Sequence, residues 1–597
     1  MSPGRGRTES GRNPVWGRMR PLSLPAALTP LTLFLPLALP APASAQQSAA
    51  DTAKTGIAVT DPLVIESCDR CHAVDEDGMM TRVSYMRKTP EGWQQSIRRM
   101  VTLNDVELDP EVARDIVRYL SDSHGLAPEE LRPGRFEVER RLIDWSYEES
   151  HEGDEDVDRV CSSCHSMGRV VIQRRTKEEW DLLMAMHRGY YPLSDTQGFR
   201  RFGPPAPGAS DTRHPMDKAV AELSGKFPMT TAQWTSWSAT MRPPRIAGTW
   251  ALKGHDPGRG PIYGTVEISE AADGADFTTR VSYAYARSGE QVEREGRAIV
   301  YTGYQWRGRS FEGGDEATSL REVMMVERGW GEINGRWFAG DYDEFGPDVT
   351  LLRADGPVVL GLHPVALRSG STATVTVHGV NLPTGLGAAD LDLGPGVDVV
   401  SVTRSDSEVL AAEVTASDDA AVGARDVFLA GRPVPGRLTV YETVNRILVT
   451  PEAGMARLGG GAFPKGFAQF EATAFSDGPD GKPETDDDLN LGFVDVEWSM
   501  EEYSAVFDDD DIEYVGTLGA DGLFQPALDG PNPDRDGLRN NVGDVWTVAT
   551  WRGPDGKEVR GRAHLIVTVP LYMRWEPWRV QEMPLPRRRT SDMGNER

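Results

Sequence analysis

Two five-residue runs constrain this chain more than anything else in it: Cys68-Asp69-Arg70-Cys71-His72 and Cys161-Ser162-Ser163-Cys164-His165. Each has the C-x-x-C-H spacing of a covalent haem attachment site. Thiols at i and i+3 share one face of a helical turn, so both can add to the vinyl groups of one macrocycle. The adjoining His then turns back to the iron as proximal ligand. A C-x-x-C alone could be half a zinc site or a redox dithiol. Here a His directly follows the second Cys both times, and the two runs use all four cysteines of the chain. Two haem c groups are therefore expected, attached at Cys68, Cys71, Cys161 and Cys164, with His72 and His165 on the iron.

Attachment of this kind takes place outside the bacterial cytoplasm, and the start of the chain agrees with export. Arg5, Arg7, Arg12, Arg18 and Arg20 form a basic region, the apolar stretch centred on 31–39 follows, and Ala43-Ser44-Ala45 is an A-x-A cleavage site. The apolar stretch is too short and too proline-broken for a bilayer, which needs about 20 residues. Residues 1–45 are thus expected to be a cleaved signal peptide and the product periplasmic. Removing them takes away five Arg and one Glu and moves the net charge from −27 to −31. So acidic a chain is a poor partner for nucleic acid or an anionic membrane.

The segment 46–245 reads as an all-α dihaem cytochrome c domain, in two tandem units at about 55–130 and 140–240. Asp109-Pro110 is an N-cap and first-turn pair, Val112, Ile116, Val117 and Leu120 recur at helical spacing, and Gly125 is placed to end that helix. Thr176 to Glu179 is a capping box ahead of Trp180, Leu183 and Met184. The two units repeat. Thr89-Pro90-Glu91-Gly92-Trp93 is followed, seven residues past the Trp, by Met100; Thr176-Lys177-Glu178-Glu179-Trp180 is followed at the same interval by His187. Seven residues return a helix to nearly the same face. Met100 is accordingly expected as the distal ligand of the first haem and His187 as that of the second. Met79, Met80, Met86 and His124 compete for the first haem, and His151, Met184, Met186 and His214 for the second. A thioether favours ferrous iron and two imidazoles leave the potential lower, so electrons should enter at the 161–165 haem and leave from the 68–72 haem.

Beyond 245 the pattern turns to alternating strands between Gly, Asp and Pro turns. Ile262 to Ile268, Phe277 to Tyr285, Ala298 to Tyr304, Glu322 to Val326 and Arg336 to Gly340 suggest an antiparallel β-barrel over 246–355. Its Gly248-Thr249-Trp250 opening is similar to that of lipocalins, and no ligand follows from it. Residues 356–441 and 442–572 read as two immunoglobulin-like β-sandwiches, and 573–597 as a basic C-terminal arm. Asp-rich stretches at 477–488, 508–511 and 529–536 lack EF-hand spacing and are expected to be solvated loops rather than calcium sites. No nucleophile–base constellation, phosphate loop or zinc triad appears, so no catalytic residue is expected on this chain.

This layout resembles the alpha subunit of quinohemoprotein amine dehydrogenase. The resemblance spans nearly all of the mature chain and is carried best by Arg87 to Trp93 with Met100, by Gln173 to Trp180 with His187, and by Asn541-Val542-Gly543-Asp544-Val545-Trp546. It implies a heterotrimer with a propeller-shaped beta subunit and a small gamma subunit. The gamma subunit would carry the cysteine tryptophylquinone that oxidises primary amines to aldehydes and ammonia. Electrons would pass through the alpha-subunit haems to a soluble periplasmic acceptor, a cytochrome c or blue-copper protein. What the resemblance carries over here is Cys68, Cys71, His72, Met100, Cys161, Cys164, His165 and His187. Two other readings are a dihaem peroxidase, which needs a distal site that opens, and a stand-alone redox module with β binding domains.

Overall fold

The computed structural model describes residues 56–136, 161, 167–192, 208, 210–271, 276–339, 346–461, 463–504 and 509–570. The signal segment, Cys164, His165, His151 and the C-terminal arm lie outside them.

The helical part starts with α1 (Pro62–Cys68), α2 (Pro90–Leu103), α3 (Pro110–Ser123) and the one-turn α4 (Pro128–Leu131). It continues with α5 (Gly168–Val171), α6 (Lys177–Tyr190), α7 (Pro215–Lys226) and α8 (Ala232–Thr240). The caps are those the sequence advertises. Thr89 accepts from Gly92 N, Asp109 from Glu111 N and Thr176 from Glu179 N, and Pro stands in the first turn of α2 and α3. The α3 helix closes at His124, one residue before Gly125.

This part is not all-α. Strand β1 (Met86–Lys88) pairs antiparallel with β2 (Gln173–Arg175), joining the two halves of the helical part through a two-stranded ribbon. Each strand runs straight into its Thr cap and Trp helix. The ribbon exposes the depth of the internal repeat. Lys88 N and Trp93 Nε1 both donate to the carbonyl of His124, the C-cap residue of α3, at 3.0 and 3.1 Å. Arg175 N and Trp180 Nε1 both donate to the carbonyl of Phe227, the C-cap residue of α7, at 3.3 Å each. One strand, one capped Trp helix and one receiving helix end thus make a unit, present twice.

Eight strands, β3 (Gly248–Asp256), β4 (Gly260–Glu270), β5 (Phe277–Tyr285), β6 (Gln291–Tyr301), β7 (Gln305–Glu312), β8 (Asp315–Val326), β9 (Glu332–Ala339) and β10 (Asp348–Arg353), form a closed antiparallel barrel. Strand β10 pairs with both β9 and β3, which leaves no edge. Trp250, Trp306 and Trp337 help fill the interior together with Val266, Tyr283 and Leu351, so the lumen is core. The run Ala298 to Tyr304 is not one strand. It ends β6, turns at Thr302 and Gly303 with φ of 56° and 73°, and starts again as β7. Two successive positive φ values make the tight hairpin whose twist matches the strands. That turn docks into the helical part: Trp237 Nε1 donates to Thr302 O, Thr302 Oγ1 to Ser121 O, and Tyr304 OH to Leu126 O.

After the barrel come two further β units. In the first, a four-stranded sheet (Val358–His363, Thr372–Val380, Val409–Ala416, Val397–Ser405) and two three-stranded sheets share a core that includes Leu362, Val375, Val377, Val414 and Leu438. In the second, a sheet of Ala453–Arg457, Glu558–Thr568, Gly543–Arg552 and Glu497–Glu502 and two three-stranded sheets enclose Val449, Phe470, Phe524, Val545 and Leu565.

The described part of the acidic run near 509–511 is not simply solvated. Asp509, Asp510 and Asp511 converge, but Arg535 donates to Asp510 and Asp511 at 2.7 and 2.6 Å, and Arg539 donates to Asp510 at 2.7 Å. Asp511 also accepts from Asp544 N. The guanidinium of Arg535, buried, takes the place a cation would occupy. Arg535→Gln is expected to cost about 3 kcal/mol by leaving buried carboxylate unpaired. The check is denaturant unfolding followed by fluorescence of the C-terminal unit, with added calcium leaving the wild-type transition unmoved.

Candidate haem sites

The first site is built at the end of α1. Asp61 caps this helix from Val64 N, and the C-x-x-C-H run continues its last turn, with Cys71 N and His72 N both bonded to Cys68 O at 3.1 and 2.9 Å. Cys68 packs on a cluster containing Val64, Met80, Trp93, Ile116 and Leu120. Burial, with the neighbouring Asp69 and Cys71 adding to it, pushes the Cys68 thiol up to about 11. A dithiol oxidoreductase needs the opposite shift, so the redox-dithiol reading of this motif loses its support.

His72 fits a proximal ligand. Its Nδ1 lies 3.0 Å from Thr81 O. A carbonyl can only accept, so Nδ1 carries the proton and Nε2 keeps its lone pair for a metal. Nε2 has no hydrogen-bond partner among the described residues. His187 repeats the arrangement on α6: Nδ1 donates to Leu183 O at 2.8 Å, the ring is half-buried, and Nε2 has no partner there. Burial, assisted by the Arg99 and Arg175 charges and opposed by the Leu183 carbonyl bond, lowers the His187 pKa, the direction that favours ligation.

The rivals separate. His124 is fully buried with both ring nitrogens engaged, Nδ1 with Ser123 Oγ at 2.7 Å and Nε2 with Ile57 O at 3.1 Å. It is a core residue. Met86 takes an Arg175 contact on its sulfur at 3.6 Å, and Met184 packs with Trp180 and Leu223. His214 caps α7, its Nδ1 accepting from Met216 N at 3.2 Å. Met100 is half-buried on α2, its sulfur 3.8 Å from Asn104 Nδ2. Met80, with no exposed surface, shares the Cys68 cluster, in which Met100 is not included. In the second site Cys161 packs against Met216 and Ala219, which brings α7 to that attachment point.

Sequence reasoning missed the charges around the ribbon. Arg87 and Arg174 are buried and converge on Glu130, Arg87 through two bonds of 2.7 and 2.9 Å and Arg174 through one of 3.1 Å. Glu91, equally buried, pairs with Arg307 of β7 and ties α2 to the barrel. The only signal in the sequence was the repeated basic pair before each Thr cap, Arg87-Lys88 and Arg174-Arg175.

Four family models match the chain, and together they span most of it. Residues 58–202 match the haem-binding domain of the quinohemoprotein amine dehydrogenase alpha subunit, 243–354 its domain II, 356–442 its domain III and 447–579 its domain IV. The chain belongs to the quinohemoprotein amine dehydrogenase alpha subunit family. The haem-binding match takes in both C-x-x-C-H runs, so a haem cofactor and a place in a multi-subunit oxidoreductase come with membership. No match is found among the curated proteins. Among solved structures, a redesigned beta barrel is 10% identical over 18% of this chain and 92% of its own, with a TM-score of 0.16. Human protocadherin-24 EC1-2 is 14% identical over 35% of this chain and 96% of its own, with a TM-score of 0.14. Neither TM-score implies a shared fold. Among the described residues, no helix is long and apolar enough to cross a membrane.

Proposed function

We propose that this chain is the dihaem electron-transfer subunit of a periplasmic amine dehydrogenase. It would accept electrons from a cysteine tryptophylquinone on a gamma subunit, within a heterotrimer completed by a propeller beta subunit, and pass them to a soluble cytochrome c or blue-copper protein. Cys68 and Cys71 would hold one haem c and Cys161 and Cys164 the other, behind a signal peptide of residues 1–45. His72 and Met100 would ligate the first iron, His165 and His187 the second. The supporting observations are the doubled unit on the β1–β2 ribbon, whose Trp helices carry Met100 and His187, and the bonds of His72 and His187 to backbone carbonyls through Nδ1, which leave Nε2 for iron. When bound, each haem iron carries one electron at a time. The chain's part is to fix both macrocycles, fill their axial positions and exclude oxygen chemistry.

The domain limits follow the same reading: 46–245 for the haem domain, 246–355 for the barrel, and 356–441 and 442–572 for two immunoglobulin-like units that dock the other subunits. The decisive test is amine-dependent reduction of haem in the purified native complex. A primary amine should reduce both haems, and a small cross-linked subunit should copurify. Haems that stay oxidised, with no such partner, would favour the stand-alone redox module. Deleting 356–597 should weaken assembly and leave the haem spectrum intact; a truncated chain that assembles normally contradicts the docking role.

A further inference from the structure

The β1–β2 ribbon gives the cations of one face a closely bonded carboxylate and leaves those of the other without one at hydrogen-bond distance. Cross-strand partners share a face and neighbours along a strand alternate. Arg87 and Arg174 face Glu130, whose oxygens also accept from Thr231 Oγ1 and Ala127 N. Met86, Lys88, Gln173 and Arg175 occupy the other face. Lys88 is 4% exposed, and its ammonium donates to Ser96 Oγ at 2.7 Å and to no carboxylate among the described residues. Arg99 on α2 donates to the same hydroxyl at 3.3 Å and likewise meets no carboxylate there. Arg175, 3% exposed, spends Nε and Nη2 on the neutral Gln173 side chain and reaches Glu179 only at 3.7 Å. Glu179 is already paired with Arg82 at 2.8 Å. Four cations thus surround one carboxylate.

A buried ammonium without a counter-charge is unfavourable, and pairing with an anion relieves that cost. Burial first, then the Arg175 and Arg99 charges, press the Lys88 pKa well below its ordinary value, as expected at a site still lacking that anion. The position is telling. Lys88 and Arg175 are equivalent in the repeat, each directly before a Thr cap, and each lies over the Trp ring of its own helix, at 5.0 and 5.7 Å. Arg99 adjoins Met100 on α2 and shares the Ser96 hydroxyl with Lys88, and Arg175 directly precedes the Thr176 cap of α6, the helix that carries His187. The cations therefore lie in the seam between the helix carrying Met100 and the helix carrying His187.

We propose that Lys88, Arg99 and Arg175 form a cradle for haem propionate carboxylates in this seam, so that one haem unit helps hold the acidic edge of the other's macrocycle. The inference rests on the haem reading above. It deepens that reading, because cations drawn from both units would set the potential of the haem whose carboxylates they hold as well as its orientation.

The test uses the complete haem-loaded complex carrying Lys88→Gln, Lys88→Arg or Arg99→Gln. The readouts are the two midpoint potentials by spectroelectrochemistry and the propionate-bending bands by resonance Raman. Removing a cation that pairs with a propionate should shift one haem to lower potential and move its propionate bands. Lys88→Arg should restore both, and Arg99→Gln, at a more exposed position, should repeat the effect more weakly. Which of the two potentials shifts identifies the haem that supplies the carboxylate. Unchanged potentials and bands in Lys88→Gln and Arg99→Gln, with two haems bound, would overturn the cradle. A wild-type chain with no covalent haem in its pyridine haemochrome spectrum would instead defeat the haem reading itself.

Discussion

Glu130→Gln is expected to destabilise the haem domain by about 3–5 kcal/mol, the cost of removing one partner from a buried ion group. The Glu130 carboxylate accepts from Arg87 Nη1 and Nη2, Arg174 Nε, Thr231 Oγ1 and Ala127 N. Arg87 has no exposed surface and also donates to Met229 O and Gly125 O. Glutamine keeps the shape and removes the charge, leaving two buried guanidiniums facing each other. Chemical denaturation followed by circular dichroism in the haem band reports on this domain alone, which matters in a chain of several domains. Replacing Glu130, Arg87 and Arg174 together by apolar residues should recover much of the loss, since the desolvation cost disappears with the charges. A triple variant no better than Glu130→Gln would point to packing.

The same carboxylate predicts an acid limb. Burial raises its pKa, but the hydrogen bonds and charge of Arg87, with Arg174 behind it, outweigh burial and hold it at about 2 against an ordinary 4.5. A depressed pKa in the folded state gives stability that is complete above 4.5 and lost as pH falls through 2. Over that window the wild type should lose stability that Glu130→Gln has already lost.

Much of this fold could be read directly from residue patterns, and the reason is local. The Phe277 to Tyr285 strand alternates buried and exposed residues along its length, and the Thr and Asp caps sit where helix starts need them. The features that escaped are non-local. Three-residue strands such as Met86–Lys88 carry no period, and their pairing depends on Gln173–Arg175, far along the chain. Glu130 and Arg174 look like surface charges until the ribbon and α4 bring them together. The hairpin at Thr302-Gly303 was hidden because apolar and aromatic residues flank it closely, Ile299 to Tyr301 before and Tyr304 after, so the stretch looks like one strand. The C-x-x-C-H runs stood out because covalent attachment would fix spacing in sequence. Distal ligands would have no such constraint, and for them the repeat is the guide.

The unequal ligand sets proposed for the two haems would carry the largest electronic effect. Met100→His should lower the potential of the 68–72 haem by on the order of 0.1–0.2 V, a fraction of the roughly 0.8 V that axial ligands command. The thioether stabilises ferrous iron, and imidazole gives that preference up. His187→Met should raise the other haem by a similar amount, the more so because the His187 ring, donating Nδ1–H to Leu183 O, is a strengthened donor. In the double variant the order of potentials inverts, and amine-driven reduction should then stop at the 161–165 haem instead of reaching the acceptor. Spectroelectrochemical titration of each variant measures the potentials, and stopped-flow reduction measures the block. The burial of Met80 beside Cys68 supplies the control. If Met100→Leu keeps the thioether-to-iron charge-transfer band and Met80→Leu removes it, the first haem takes its distal ligand from the cluster around α1 rather than from α2. The direction of flow then survives, since either ligand is a thioether, but the parallel between Met100 and His187 that suggested it does not.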